Sequence, residues 1–302
     1  MILDKNGLMV LSLCGGIETG LLALDQLGIP VAEYHTYEIL PEAIAVSEYH
    51  YPFVVHHGDM IGADFSQFKE FDLLLVGTCC QSVSKCRIED KTVSNGLKGK
   101  SGIFFEAIRA LEEIKPKYFM FENVIPADNA DLETMNRCIG VDGVILNSAD
   151  FSAQERLRYY WTNLPIKPLS FQSSEVLQDI MEPKVDEKYF YDKLFHGVDM
   201  KKRVCATLDV NTMEMNKRIY NPQFKCCTLT CINGGYHEKK VMDNGRPRKL
   251  TELEYERLQG LPDGYTDIEL NGRRLSYSKR CSLCGNGWNL PTVKYILQKL
   301  KE

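Results

Sequence analysis

Phe71-Asp72-Leu73-Leu74-Leu75-Val76-Gly77-Thr78-Cys79-Cys80-Gln81-Ser82-Val83-Ser84 is the stretch on which the fold turns. Leu73 to Val76 is a short apolar run closed by a glycine, the pattern of a parallel strand covered on both faces. Open α/β sheets take their ligands just past the carboxyl ends of such strands, and Cys79 and Cys80 stand there. A thiol at a strand end is reachable and, as thiolate, nucleophilic. A buried structural cysteine fits this stretch equally well.

Upstream, Leu8 to Leu13 reads as a buried first strand running into Cys14-Gly15-Gly16-Ile17-Glu18-Thr19-Gly20 and then an apolar-periodic helix ended by Gly28. Strand, glycine turn and helix form a nucleotide-binding arrangement, because glycines admit close approach of a ligand and helix amides face it. Glu33 to Tyr37 alternates as a second strand and ends in Glu38, where a carboxylate suits a ribose diol. Pro41 fits the first turn of a helix. Val54 to His56 reads as a third strand, followed by Asp59, either an acceptor for an adenine amino group or a turn former.

Downstream, Lys85 to Lys100 has no apolar period and reads as a long loop. Ser101 caps a helix carrying Phe104, Ile108 and Leu111 on one face. Tyr118 to Phe121 is another buried strand, and it brings Glu122-Asn123-Val124 to the sheet edge that holds Cys80. Gly143 to Ala149 and Arg158 to Thr162 read as further strands, with Gln154, Arg156 and Arg158 leading into the second. Residues two apart share a strand face, so both arginines are expected on one side. From Leu169 to Lys249 the pattern breaks into short mixed segments, among them a strand over Thr228 to Ile232. Thr251 to Gln259 and Thr292 to Leu300 read as helices.

The 302 residues are 44% apolar and 25% charged, enough for one large α/β domain and a smaller unit. The 11 cysteines, the absence of a basic-apolar leader and the lack of any long apolar run point to a reduced, cytoplasmic protein with no membrane span. Net charge is -5, yet Lys201 to Lys249 holds 11 Lys and Arg against four acidic residues, which leaves about -12 for the rest. That split fits a basic reading surface on an acidic enzyme body, or a merely solvated loop region. Cys281 and Cys284 have metal-like spacing, but the adjacent Cys226 and Cys227 suit a tetrahedral site poorly, so buried thiols and no metal are expected.

Taken together, these stretches resemble the DNA (cytosine-5) methyltransferases, in the family's motif order and over nearly the whole chain. Leu11 to Gly20 is similar to the first cofactor loop, Gly77 to Ser82 to the catalytic loop with Cys80 at the nucleophile, and Glu122-Asn123-Val124 to the acid motif. Gln154, Arg156 and Arg158 match the spaced Gln-Arg-Arg motif. Arg248 to Gly260 resembles the helix that props the recognition region, and Gly285-Asn286-Gly287-Trp288 the last motif. The wording of Tyr159 to Pro165, and Trp288, lean toward the animal de novo methyltransferase catalytic domain and its phage or bacterial relatives.

The resemblance implies a Rossmann-like sheet over residues 1–168 and 272–302, with a small mixed target-recognition region over 169–271 inserted before the last motif. It implies S-adenosyl-L-methionine as cofactor, held by Ser12, Cys14, Gly16, Ile17, Glu18, Thr19, Glu38, Asp59, Met60, Thr78, Ile103, Asn286, Gly287 and Trp288. Cys80 would add to carbon 6 of a flipped-out cytosine and Glu122 would share a proton with ring nitrogen 3. Arg158 would hold the base oxygen and Arg156 would brace the loop. Double-stranded DNA would meet Gln81, Ser82, Ser84, Lys85, Arg87, Gln154, Lys239, Lys240, Arg246 and Arg248. The host would be a bacterial or phage-infected cell, with or without a paired restriction enzyme.

Two positions depart from the family pattern. Cys79 replaces the usual proline before the nucleophile, and Cys14 replaces an aromatic residue of the first loop. Both should border the cofactor, which leaves open a donated one-carbon group other than methyl. Methylation of cytosine in tRNA is a second enzymatic reading, and a regulatory binder with a lapsed site a third.

Overall fold

A computed structural model describes residues 3–77 and 102–302. The chain divides into two compact units, one of Met1–Leu146, Leu157–Leu169 and Thr292–Glu302, the other of Asn147–Arg156 and Ser170–Pro291.

The first unit is built on β1 (Leu8–Leu13), α1 (Thr19–Leu27), β2 (Val31–Tyr37), α2 (Pro41–His50), β3 (Val55–His56), β4 (Leu73–Val76), α3 (Gly102–Ile114), β5 (Tyr118–Asn123), α4 (Asn129–Ile139), β6 (Val144–Asn147) and β7 (Leu157–Thr162). The strands form one sheet in the order β3-β2-β1-β4-β5-β7-β6. β1 runs parallel to β2 and β4, and β4 parallel to β5. All four residues of β4 are fully buried, so its unbroken apolar run follows from having layers on both faces. Strand order reverses between β1 and β4, the place where a crevice opens in such sheets. There the Gly77 N–H donates to the Leu13 carbonyl at 3.0 Å, so the chain leaves β4 beside the glycine turn that follows β1.

β7 breaks the parallel rule. It runs antiparallel to β5, with Glu122 opposite Tyr160 and Asn123 opposite Tyr159. The core behind these strands includes Leu11, Leu13, Leu74, Val76, Phe104, Phe121 and Trp161. Trp161 is fully buried, and its indole N–H donates to Asn136 Oδ1 at 2.6 Å. A Cβ on Gly143 would come within 2.7 Å of the Trp161 ring and 2.8 Å of the Tyr159 ring. Only glycine allows the backbone to lie against that aromatic pair.

The second unit holds a five-stranded sheet in the order β12-β11-β10-β9-β8, from β8 (Phe195–His196), β9 (Val204–Leu208), β10 (Arg218–Tyr220), β11 (Lys240–Asp243) and β12 (Arg246–Lys249). Two single-turn helices, α5 (Leu177–Ile180) and α6 (Glu214–Lys217), precede α7 (Glu252–Leu258), the hairpin of β13 (Glu269–Leu270) and β14 (Arg273–Arg274), and α8 (Tyr277–Asn286). α9 (Leu290–Leu297) starts at the end of this unit, and its residues from Thr292 on belong to the first. Thr251 and Glu254 close a reciprocal capping box that starts α7. Glu254 also receives both Nη atoms of Arg248 at 2.7 Å, and Asp243 receives its Nε at 2.6 Å.

The strand expected over Thr228 to Ile232 is absent, since the segment satisfies its backbone otherwise. Leu229 N–H donates to the Gln154 side chain, the Leu229 carbonyl accepts from Arg156, and Ile232 N–H donates to Ser282 Oγ. With side chains taking these groups, no ladder is needed.

Gly143→Ala should destabilise the protein by about 1–3 kcal/mol, because neither ring can swing clear of the added methyl. Urea denaturation measures this, and an unchanged midpoint would show that the Trp161 packing is looser than described.

Candidate functional site

Glu122 ends β5 and Arg158 begins β7. Because the two strands are antiparallel, Arg158 sits diagonally across from Glu122, two residues before its direct partner Tyr160, on the same face. Arg158 Nε lies 3.0 Å from Glu122 Oε1, with side chains only 13% and 10% exposed. A charge-assisted pair at the edge of a low-dielectric core fixes both side chains and offers an acid and a planar set of donors to one ligand.

Arg156 has other partners. It precedes β7, so strand alternation does not govern it, and its guanidinium donates to the carbonyls of Leu229, Gly285 and Gly287 within the second unit. Its role there is to brace three backbone segments.

The turn after β1 lies in the first unit. Cys14, Gly16 and Glu18 all adopt left-handed backbone, at φ 56°, 59° and 55°. For the two that carry side chains this costs on the order of 1 kcal/mol each. Among the described residues, its chain neighbours apart, nothing lies within 4 Å of where a Gly16 side chain would start, which leaves a cradle over the backbone. Glu38 lines it. Its Oε2 accepts from Gly16 N–H and its Oε1 from Ile39 and Leu40 N–H, all within 2.9 Å. Three of a carboxylate's roughly four acceptor positions are then filled, which orients it and leaves one for a hydroxyl. Cys14 Sγ lies 3.8 Å from Met60 Sδ. Asp59 is exposed, with Oδ1 accepting from Ile61 N–H at 3.0 Å, and Ile103 packs on the core. These residues fit a nucleoside that places a ribose hydroxyl on Glu38 and backbone contacts on Gly16.

Under the same turn lies a buried carboxyl. Glu18 is 0% exposed, Tyr34 donates its hydroxyl to Oε2 at 2.6 Å, and burial raises the Glu18 pKa to about 7. Ser12, Ile17 and Thr19 are buried as well. Tyr34 and Thr36 were not singled out from sequence. The one signal was their shared face of β2 with Glu38, every second residue.

Asn286, Gly287 and Trp288 belong to the second unit. Asn286 Oδ1 accepts from Cys231 Sγ at 2.7 Å, the Gly287 carbonyl accepts from Arg156, and Trp288 is buried. Three residues expected to face nucleic acid turn inward. Gln154 is fully buried, donating to Leu258 and Gln259 and accepting from Leu229 N–H. Arg248 is held by Asp243 and Glu254, and Lys240 donates to the Tyr236 and Glu238 carbonyls. Their polar groups are spent on holding the second unit together. Arg246 is exposed and paired with Glu187, and Lys239 is half-buried near Thr230. Thr78, Cys79, Cys80, Gln81, Ser82, Ser84, Lys85 and Arg87 lie outside the described residues. Among the described residues no three His, Cys, Asp or Glu side chains gather as a metal site, and no helix is long and apolar enough to cross a membrane.

A family model described as C-5 cytosine-specific DNA methylase matches residues 8–302. The type II methyltransferase M1.ScrFI of Lactococcus lactis subsp. cremoris is 26% identical over 270 residues, covering 82% of this chain and just under two thirds, 66%, of that protein. The type II methyltransferase M.HhaI of Haemophilus parahaemolyticus is 25% identical over 299 residues, covering 87% of this chain and 88% of its own. In fold, the S. pombe Dnmt2 methyltransferase superposes with a TM-score of 0.67 at 19% identity, over 96% of this chain and 97% of that one.

Glu122→Ala should cost about 1–3 kcal/mol of stability by stranding the Arg158 guanidinium, and Glu122→Gln clearly less, since an acceptor remains. Thermal or urea melts of the two variants compare them directly. Equal midpoints for both and the wild type would mean the pair is effectively solvated.

Proposed function

We propose, given that the chain belongs to the C-5 cytosine-specific DNA methylase family, that it methylates carbon 5 of a flipped-out cytosine in double-stranded DNA, using S-adenosyl-L-methionine. The observation that carries this reading is the Glu122–Arg158 pair at 3.0 Å, at the strand edge toward which the glycine turn also opens.

Carbon 5 of cytosine is too poor a nucleophile to take a methyl group unaided. Addition of the Cys80 thiolate to carbon 6 makes carbon 5 enamine-like. Glu122 holds or donates a proton at ring nitrogen 3, which stabilises the electron-rich ring, and Arg158 holds the exocyclic oxygen. S-adenosyl-L-methionine, when bound, supplies an electrophilic methyl group on a sulfonium. Removal of the carbon 5 proton then expels Cys80 by elimination and restores the ring. The base must leave the helix for any of this, at a cost of a few kcal/mol. Exposed Lys201, Lys202 and Arg246 supply phosphate contacts, for which Asp199 must release Lys202 and Glu187 must release Arg246.

Cys80→Ser should abolish covalent trapping on 5-fluorocytosine duplex DNA, whereas Cys79→Ala should keep it. Loss in the second and survival in the first would move the nucleophile. Glu122→Gln and Arg158→Ala should each lower methyl transfer by about 100-fold or more. Parallel assays on duplex DNA and tRNA, with mass analysis of the modified base, identify the substrate and the group. Label entering tRNA alone, or an added mass other than one methyl, would sink the reading. Affinity for duplex DNA should fall about 40-fold between roughly 50 and 200 mM salt if three phosphates are neutralised. A flat titration would remove the phosphate contacts.

A further inference from the structure

Three polar atoms with no hydrogen-bond partner among the described residues lie together beneath the glycine turn: Ser12 Oγ, Glu18 Oε1 and Thr36 Oγ1. All three residues are essentially fully buried, at 1%, 0% and 0% exposure. Ser12 and Thr36 are directly paired across β1 and β2, so their side chains rise on one face. Gly15 closes the cluster from above. A Cβ there would lie 2.3 Å from Glu18 Oε1 and 2.5 Å from Thr36 Oγ1, so the loop backbone rests on the carboxyl itself. Buried polar atoms are ordinarily satisfied, and three orphans in one place call for an explanation.

The arrangement makes sense for a carboxyl with two states. Protonated, Glu18 needs little beyond Tyr34. Ionised, it needs donors, and the Ser12 and Thr36 hydroxyls need only rotate their hydrogens to supply two more. They lie close enough to favour the charged form, although neither closes a well-formed hydrogen bond now. The groups facing Glu18 are Tyr34, Thr36 and Glu38 from β2 and the turn after it, and Ser12 from β1. Among the described residues none of these is a cation, and Glu38 opposes ionisation. A cationic ligand would supply the countercharge that these groups do not.

We infer that Glu18 is a positioning residue for the methyl donor: its buried carboxyl gives up a proton when a cationic cofactor occupies the glycine turn, which distinguishes a sulfonium donor from the uncharged thioether product. The inference rests on the proposed use of S-adenosyl-L-methionine. Its sign follows from linkage. The unfolded chain releases this proton near the ordinary 4.5 and the folded chain near 7, so the ligand-free loop gains stability as pH falls through that window. A cation pulls the other way. It favours the carboxylate, so its binding expels the proton and strengthens as pH rises.

Isothermal titration calorimetry at pH 7 in phosphate and in Tris, which differ in ionisation enthalpy, reads the proton directly. S-adenosylmethionine should release up to about half a proton per molecule bound, and S-adenosylhomocysteine distinctly less. The preference for the sulfonium over the thioether should grow about fivefold from pH 6 to pH 8 if binding lowers the Glu18 pKa by about one unit. Glu18→Gln keeps the shape and should lose both effects. Binding by the wild type with identical heats in the two buffers overturns the inference and leaves the cofactor reading standing, as does buffer dependence that persists in Glu18→Gln. Absence of any binding by either ligand overturns the cofactor reading, and the inference with it.

Discussion

A strand buried on both faces must satisfy its backbone sideways, and β4 does so against β1 on one flank and β5 on the other. That requirement places the carboxyl ends of three parallel strands at one edge. From those ends come the turn bearing Gly16, the chain leaving through Gly77, and the Glu122 carboxylate. The chemistry is therefore assembled by hydrogen-bond bookkeeping in an apolar layer, with no ligating group needed to draw the pieces together. β7 adds the last piece by running backwards. An antiparallel neighbour begins where β5 ends, and its first residues deliver Arg158 to Glu122.

Much of this edge was legible in the residues. Continuous apolar runs such as Leu73 to Val76 can serve only as doubly covered strands or buried helix turns, and the glycines at Gly77 and Gly28 set their limits. Glu122 was legible at this edge because it ends such a run, but its ion pair with Arg158 was not, since that depends on β7 running antiparallel to β5. The cluster under the turn was harder. Glu18 reads from sequence as a residue of the cofactor loop, but its backbone adopts a left-handed conformation and its side chain is fully buried. No local pattern announces that reversal, which depends on Ser12, Tyr34 and Thr36 arriving from two strands. α4 was also passed over, although Asp128 caps its start and Gly140 its end.

The basic surplus between Lys201 and Lys249 illustrates how composition overstates a surface. Arg203 is paired with Glu155, Lys225 donates to the Ser152 and Glu175 carbonyls, and Arg248 and Lys240 are enclosed. Charge counting cannot separate a cation that faces a phosphate from one that staples its own unit together. Around the five-stranded sheet the apolar cluster of Cys205, Ala206, Leu208, Ile219 and Met242 is joined by buried ion pairs and side-chain-to-carbonyl bonds. Such groups specify a unique arrangement only when each is fully satisfied, as Gln154 and Arg248 are.

The membership of Asn147–Arg156 in the second unit bears on grafting. Gln154 and Arg156 tie that short segment to Leu229, Leu258, Gly285 and Gly287, so a chimera that exchanged only the residues after Leu169 would leave half of a lock behind in the recipient. A workable transplant has four seams, near residues 146, 157, 170 and 291. Its donor must contribute the glutamine and the first arginine of the motif together with the region they fasten.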